Sequence, residues 1–141
     1  MDVRVSWQGK RRFEAVGDSG HPVTIDAKPD VGGENRGPRP MELLLMGLGG
    51  CTGIDVTMIL EKMRIPFTSV DIEITGARAS KPPEKFTEIT LTYLIEAPDA
   101  PLDKVQRAVR LSQEAYCSAS HSLSADLHAV VVLNGERHVL F

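Results

Sequence analysis

The sequence predicts an α+β fold in one domain that spans residues 1–141. Segments with the alternating apolar residues of a half-buried strand come in groups, rather than singly between helices. The predicted order of elements is β-β-β-α-β-β-α-α-β-β, and such grouping is typical of α+β proteins. A length of 141 residues and an apolar content of 42% are enough for one buried core.

The N-terminal third is predicted to be a three-stranded meander followed by a loop. Residues 3–7, 12–16 and 23–25 have strand patterns and are separated by glycine-containing turns. Residues 28–40 contain three prolines and three glycines, which predicts irregular structure. Loops held by a rigid scaffold often carry function, so this segment is a candidate for it.

A long helix is predicted from Pro40 to about Arg64. Proline is tolerated at the first helical position, because its missing N–H has no partner there anyway. Apolar residues cover nearly the whole circumference, which predicts a centrally buried helix. Four glycines each weaken it by about 1 kcal/mol relative to alanine. They predict close approach of a second helix or second subunit, or tight packing within one chain: Gly47, Gly49, Gly50 and Gly53.

The remaining elements follow from the same patterns. Strands 70–75 and 89–95 are predicted to form a hairpin with a long loop. A helix is predicted over 101–116, and a short helix with serines available for capping begins at Cys117. Strands 129–133 and 137–140 flank Asn-Gly, a dipeptide typical of tight hairpin turns.

Two cysteines are the most informative residues for function. Cys51 lies in the predicted long helix, and Cys117 stands 66 positions later, too far for a zinc knuckle or a C-x-x-C motif. A buried helical thiol and a thiol at a helix start can form a redox pair. Free cysteine also serves as a small apolar core residue, so the pattern alone leaves both interpretations open.

Composition bounds the partners and the compartment. The net charge is −3, from 16 basic and 19 acidic residues, without the concentrated basic patch that nucleic-acid binding needs. The first residues alternate in polarity, unlike a signal segment, and the longest apolar run is far shorter than the roughly 20 residues that span a bilayer. We therefore expect a cytoplasmic protein without membrane association, in which a disulfide is transient.

No cofactor or metal site is predicted. The chain has no phosphate-binding loop, nucleophile elbow or dinucleotide fingerprint. Zinc is the one metal with candidate ligands, but these lack the closely spaced pairs of known zinc motifs. The candidates are Cys51, Asp55, Cys117 and His121.

The order of elements and the surroundings of both cysteines resemble the OsmC/Ohr family of osmotically inducible and organic-hydroperoxide-resistance proteins, over nearly the whole chain. The segments that carry the resemblance are Pro40-Met41-Glu42-Leu43-Leu44-Leu45-Met46-Gly47-Leu48-Gly49-Gly50-Cys51-Thr52 and Tyr116-Cys117-Ser118-Ala119-Ser120. The resemblance implies two curved antiparallel sheets around long central helices, in an intertwined homodimer. It also implies a thiol peroxidase for small hydroperoxides, with Cys51 peroxidatic and Cys117 resolving. An external dithiol must then reduce the disulfide, because the sequence has no flavin, haem or nicotinamide signature.

One position departs from the family pattern. In the pattern of the family peroxidases, a glutamate directly follows the proline ahead of the first cysteine. Here Met41 follows the proline, and Glu42 comes one position later. The resemblance makes Glu42 a candidate catalytic residue that orients an arginine. Nine residues at about 100° each place it half a turn out of phase with Cys51 in a regular helix. Geometry therefore favours a role at the positive helix N-terminus.

The resemblance also implies a catalytic arginine in the early strands, eight residues before a turn glycine. Counting back from Gly20 gives Arg12. A buried thiolate needs such a positive partner, because burial alone opposes ionisation. Successive strand residues face opposite ways, so at most one of Arg11 and Arg12 points inward. Arg36 and Arg39 in the loop are the alternatives.

Two residues lie one helical turn after a cysteine. Asp55 follows Cys51, and its charge opposes a thiolate if it faces the sulfur. His121 follows Cys117 and either assists proton transfer or has a structural role. Apolar residues near Cys51 favour an organic hydroperoxide as substrate. They are Met46, Leu48, Ile54 and Met58.

Two other functions stay open. One is a noncatalytic binding module for a small apolar ligand, which Met41 in place of glutamate favours. The other is a redox sensor that forms the disulfide but turns over slowly.

Overall fold

The computed structural model describes residues 1–141 in two compact units, Met1–Leu44 and Leu45–Phe141. It confirms the α+β fold class, with two sheets and the predicted order of elements; the single domain over 1–141 stays a prediction. The strands are β1 (Val3–Trp7), β2 (Phe13–Gly17), β3 (Val23–Ile25), β4 (Ser69–Arg78), β5 (Phe86–Glu96), β6 (Asp126–Leu133) and β7 (Glu136–Val139). The helices are α1 (Pro40–Lys62), α2 (Leu102–Leu111) and α3 (Ser118–Ser122), with a 3₁₀ turn at Pro29–Val31 and a π-turn at Ser112–Tyr116.

The first unit contains the predicted meander. Strands β1, β2 and β3 pair antiparallel in that order. The sequence predicts that one face of β1 is half buried, but Val3, Val5 and Trp7 are all more than half exposed in the single chain. This sheet therefore presents an uncovered apolar face.

A buried carboxylate organises the loop that follows the meander. Asp26 is 2% exposed, and its oxygens accept hydrogen bonds from the backbone N–H groups of Ala27 (2.8 Å), Glu34 (3.1 Å) and Arg36 (3.1 Å). Desolvation opposes its ionisation, but these three bonds and the charge of Arg12 outweigh it and lower the pKa of Asp26. The carboxylate charge therefore helps to hold the loop.

We expect Asp26→Asn to lower the urea midpoint of unfolding at neutral pH. An asparagine side chain has only one acceptor oxygen, whereas the three backbone N–H groups bond to both oxygens of Asp26. The pKa of Asp26 is lower in the folded state, so the carboxylate stabilises the fold above its unfolded pKa of about 3.9. That contribution is lost as the pH falls through the folded value. The midpoints of the two proteins should therefore differ at pH 6 and converge as the pH falls below about 4; a constant difference would contradict this assignment.

The second unit is built on a four-stranded sheet in the order β4-β5-β6-β7. The two predicted hairpins, β4–β5 and β6–β7, are antiparallel, and Asn134 and Gly135 both have positive φ, as a tight turn requires. The antiparallel sheets implied by the resemblance need one correction, since β5 and β6 pair in parallel. The reason is that α2 and α3 lie between them and bring the chain back in the same direction.

Helix α1 buries only one stripe of its surface within the single chain. The buried residues recur at every fourth position and are Leu48, Thr52, Val56 and Leu60. The prediction of a centrally buried helix is therefore wrong for one chain. Helix α1 is long and apolar enough to cross a membrane. This is weak evidence for a membrane span, because core helices of soluble proteins meet the same criteria.

The glycines of α1 fall into two groups. A Cβ at Gly49 would lie 2.7 Å from Ile74 Cδ1, and one at Gly53 would lie 3.4 Å from Ile72 Cδ1, so both glycines allow close packing on β4. A Cβ at Gly47 or Gly50 would meet no atom within 4 Å. Tight packing within the chain therefore explains only two of the four.

The predicted helix 101–116 is interrupted before its end. Helix α2 stops at Leu111, and the π-turn is closed by a 2.7 Å hydrogen bond from the backbone N–H of Cys117 to the carbonyl of Ser112. The wider turn accompanies burial of two successive polar residues, Ser112 and Gln113. Cys117 then becomes the N-cap of α3 rather than its first residue.

Candidate dithiol site

The two cysteines lie close together in the second unit, as a redox pair requires. Both thiols are free; Cys51 on α1 is half-buried and Cys117 is fully buried. Their sulfur atoms and a carboxylate oxygen of Asp55 all lie within 4.8 Å of one another. Asp55, which the sequence offers both as an obstacle to ionisation and as a candidate metal ligand, thus belongs to the cluster.

The environment of Cys117 keeps it protonated. Burial raises the pKa of this thiol, and the neighbouring Cys51 adds to the effect, while hydrogen bonds from Ser120 oppose it. One of these is the backbone N–H of Ser120, which donates to Cys117 Sγ at 3.4 Å across the first turn of α3. At neutral pH the buried member of the pair is therefore a thiol, held in place by the helix that it caps.

A buried hydrogen-bond network lies beside the thiols and joins α1, β5, the π-turn and α3. Its members are Thr52, Asp55, Tyr93, Ser112, Gln113 and Ser120. Every buried polar side-chain atom in the chain has a hydrogen-bond partner. The network is therefore complete, which rigidifies the elements that hold both cysteines.

The direction of these bonds follows from Asp55. The Asp55 carboxylate can only accept, so the Ser112 hydroxyl donates to it at 3.0 Å. Ser112 must then accept from Thr52 (2.8 Å), and Thr52 in turn accepts from the Tyr93 hydroxyl (2.8 Å). A hydroxyl has one hydrogen, so each bond fixes the next.

The amide of Gln113 completes the network. Its Nε2 donates to Tyr93 Oη (2.7 Å) and to Thr52 Oγ1 (3.1 Å), and its Oε1 accepts from Ser120 Oγ (2.8 Å). Burial raises the pKa of Tyr93 to about 12, and the charges of Cys117 and Asp55 add to this against the hydrogen bonds of Thr52 and Gln113. Tyr93 is therefore a neutral donor, as the bond direction requires.

Comparison with known proteins identifies the family. The family model described as OsmC-like protein matches residues 32–130, more than half of the chain. The chain belongs to the OsmC-like family. Protein YhfA of Escherichia coli strain K12 is 36% identical over 120 residues, which cover 85% of this chain and 87% of YhfA.

Solved structures agree with this OsmC-like fold. A hypothetical protein from Aquifex aeolicus VF5 superposes with a TM-score of 0.82 at 29% identity, over 94% of this chain and 95% of the other. An organic hydroperoxide resistance protein OsmC from Legionella pneumophila gives a TM-score of 0.67 at 15% identity, over 94% of each chain. The second likeness shows the shared fold alone.

The predicted charged partners of the OsmC-like site belong to the first unit. Arg12 Nη1 lies 3.6 Å from Glu34 Oε1, and Arg12 Nη2 donates to the carbonyl of Gln8 at 3.2 Å. Arg39 Nη1 donates to Asn35 Oδ1 (2.7 Å), and Arg36 Nη2 lies 3.8 Å from Glu34 Oε2. A role for any of these guanidinium groups at Cys51 stays a prediction.

Glu42 has the helix-end role that its phase predicts. Its Oε2 accepts a hydrogen bond from the backbone N–H of Arg39 at 2.8 Å, just ahead of the first residue of α1. A glutamate at the third helical position commonly satisfies the N-cap amide in this way. Its predicted catalytic role stays a prediction.

The other candidate near Cys117 lies outside the cluster. His121 is exposed, and its imidazole forms none of the ion pairs or side-chain hydrogen bonds of the structure. Of the four candidate zinc ligands, the fold therefore brings together Cys51, Asp55 and Cys117.

A cavity of about 520 Å³ adjoins the site through Asp55. Its lining combines apolar side chains with two cations, Lys62 and Arg107, and the apolar members are Met58, Ile59, Met63, Leu111 and Tyr116. Of the residues expected to surround Cys51 with apolar surface, Met46, Ile54 and Met58 are at least half exposed in the single chain. The enclosed apolar setting expected around Cys51 is thus incomplete in one chain.

Proposed function

We propose that the protein is a thiol-dependent peroxidase that reduces organic hydroperoxides, with Cys51 peroxidatic and Cys117 resolving. The observation that supports it is the pairing of a half-buried thiol with a fully buried one, their sulfur atoms within 4.8 Å. A disulfide needs about 2.05 Å, so a modest side-chain movement closes the bond. The fold also matches proteins described as organic hydroperoxide resistance proteins.

The accessibility of the two thiols supports the proposed order of their reactions. Cys51 is the more exposed, so its thiolate attacks the peroxide oxygen, forming a sulfenic acid and releasing an alkoxide that takes a proton to become the alcohol. The Cys117 thiol then condenses with the sulfenic acid, which forms the disulfide and releases water. An external dithiol reduces the disulfide and is itself oxidised, which restores both thiols. This requirement fits a reducing cytoplasm.

The test is a coupled assay of the reduced protein with cumene hydroperoxide and a dithiol donor. Sustained consumption of many equivalents of peroxide per chain supports the peroxidase. A single equivalent, with formation of the disulfide and no turnover, would replace it with the redox sensor. Unchanged thiols after exposure to peroxide would overturn both.

The cavity favours a second candidate, a noncatalytic binding module. Its five apolar side chains suit the apolar body of a small ligand, and its two cations outnumber the one carboxylate, Asp55, which favours an anionic group on that ligand. This function requires the thiols to be inert, so the assay above distinguishes it. Binding of a fatty acid, weakened by Lys62→Ala and Arg107→Ala, would support it.

We also propose that the protein is a homodimer, because part of α1 stays uncovered in one chain. Met46, Ile54 and Met58 are at least 50% exposed, and Gly47 and Gly50 leave room for another backbone. Burying this surface against a second copy would recover the hydrophobic free energy. Sedimentation equilibrium should give about twice the chain mass of 15.4 kDa, and Ile54→Glu should shift it toward the monomer.

A further inference from the structure

We propose that the reduced dithiol site binds a thiophilic divalent cation, represented by Zn²⁺, through Cys51 Sγ, a carboxylate oxygen of Asp55 and Cys117 Sγ. The sequence lacks closely spaced ligand pairs, but the fold brings these three ligand atoms within 4.8 Å of one another. Two cysteines and an aspartate match the ligand types that zinc takes in proteins. Solvent or an added ligand completes the fourth position, since Cys51 and Asp55 are both partly exposed.

The spacing is close to that of a tetrahedral site. Zinc lies about 2.3 Å from sulfur and about 2.0–2.2 Å from a carboxylate oxygen, so its ligand atoms are roughly 3.5–3.8 Å apart. The present limit of 4.8 Å requires side-chain movements of roughly 1 Å. These are rotamer adjustments on α1 and at the N-cap of α3, and both backbones are already in place.

The charges of the cluster favour a cation. Asp55 takes part in none of the ion pairs of the structure, so its carboxylate has no cationic partner within the chain. A divalent cation bound between the two sulfur atoms and this oxygen would supply the missing partner for Asp55 and would stabilise both sulfurs as thiolates. Asp55 is thus a suitable third ligand by position and by charge.

The hydrogen bonds around the cluster orient the ligands as in known metal sites. The buried Ser112 hydroxyl donates to Asp55 Oδ2 at 3.0 Å, which leaves Oδ1 free to coordinate. The Ser120 backbone N–H donates to Cys117 Sγ at 3.4 Å. Metal-binding carboxylates are commonly held by such outer hydrogen bonds.

Binding involves no change of oxidation state. The cation replaces the protons of the two thiols, forming two metal–sulfur bonds and releasing two protons, and a carboxylate oxygen of Asp55 forms the third bond. Forming the Cys51–Cys117 disulfide would remove both sulfur ligands. Zinc binding requires only the reduced thiols, so it can be tested independently of peroxide reduction.

The test is a titration of the reduced protein with Zn²⁺ against a chromophoric chelator, and with Co²⁺ followed by thiolate-to-cobalt absorption in the near ultraviolet. We expect one ion per chain. Cys51→Ser and Cys117→Ser should each lose the cobalt absorption or most of it, and Asp55→Asn should weaken zinc binding roughly tenfold or more. His121→Ala is the matched control, one turn after Cys117, and should bind as the parent does.

Asp55→Asn can still accept from Ser112, and circular dichroism verifies that each variant is folded. The parent oxidised to the disulfide is a second control of identical sequence and should not bind. Absence of stoichiometric binding would overturn the proposal, as would parent-like affinity in Cys51→Ser or Asp55→Asn. Peroxidase turnover is measured separately in the presence of a chelator. A failure of zinc binding is thereby distinguished from a failure of peroxide reduction.

Discussion

Replacing Cys51 by serine is expected to abolish hydroperoxide turnover, lowering the rate by roughly a thousandfold or more. The accessible thiol is the proposed nucleophile, and a serine hydroxyl is not ionised at neutral pH and cannot form a sulfenic acid. The measurement is peroxide consumption in the coupled assay at equal protein concentration. Turnover that persists in Cys51→Ser would transfer the peroxidatic role to another residue.

Cys117→Ser is the matched control for this assignment. The first oxidation should proceed at a rate close to that of the parent, because Cys51 is unchanged. The sulfenic acid then has no resolving thiol and should be trapped by dimedone on Cys51, whereas the oxidised parent should contain the intramolecular disulfide. The two-cysteine mechanism would be contradicted if Cys117→Ser formed no dimedone adduct. It would also be contradicted if Cys117→Ser and the parent gave the same oxidised product.

Replacing Thr52 by valine is expected to lower the free energy of unfolding by about 2–4 kcal/mol. The Thr52 hydroxyl donates to Ser112 and accepts from both Tyr93 and Gln113. Valine has nearly the same shape but leaves these buried polar groups without that partner, and such groups have no access to water in the core. Urea unfolding of parent and variant at one protein concentration measures the difference.

Thr57→Val provides the matched control on the same helix. The Thr57 hydroxyl shares its one hydrogen between the carbonyls of Gly53 and Ile54, outside the buried network. Its replacement should change the free energy of unfolding by less than about 0.5–1 kcal/mol. Equal losses in the two variants would show that the buried network contributes no more to stability than an ordinary helical threonine.

Local sequence patterns were sufficient to predict the order of helices and strands and to single out the two cysteines. The alternation of Ile89, Leu91, Tyr93 and Ile95 correctly predicted a strand with one buried face, because burial on a strand repeats every second residue. The Asn134-Gly135 turn has the conformation that its sequence favours. Each of these features depends on neighbours within a few residues.

The network beside the thiols depends on long-range packing and was not predicted. Tyr93 alternates with the apolar residues of β5, and Ser112 follows the apolar stripe of α2, so a polar residue in register with an apolar face was the available signal. Nothing local indicates that their hydroxyl groups both bond to Thr52, which lies 41 and 60 residues away along the chain. The π-turn was also missed, because its residues fit an ordinary helix.

The burial of α1 illustrates a second limit. Its composition predicted burial on all sides, yet one chain covers only a stripe. An amino-acid sequence records that a surface is apolar but does not record which molecule covers it. The exposed Ile54 and Met58 therefore have no explanation within the chain.

The parallel pairing of β5 with β6 affects the order in which the molecule folds. Strands β4 and β5 form a local hairpin, whereas β6 can join only after residues 97–125 have returned across the sheet. Loop closure costs entropy before its contacts offset it, so this docking comes late. Cys117 lies within the returning segment. The native contact between the two cysteines therefore arises with this late docking step, after the β4–β5 hairpin has formed.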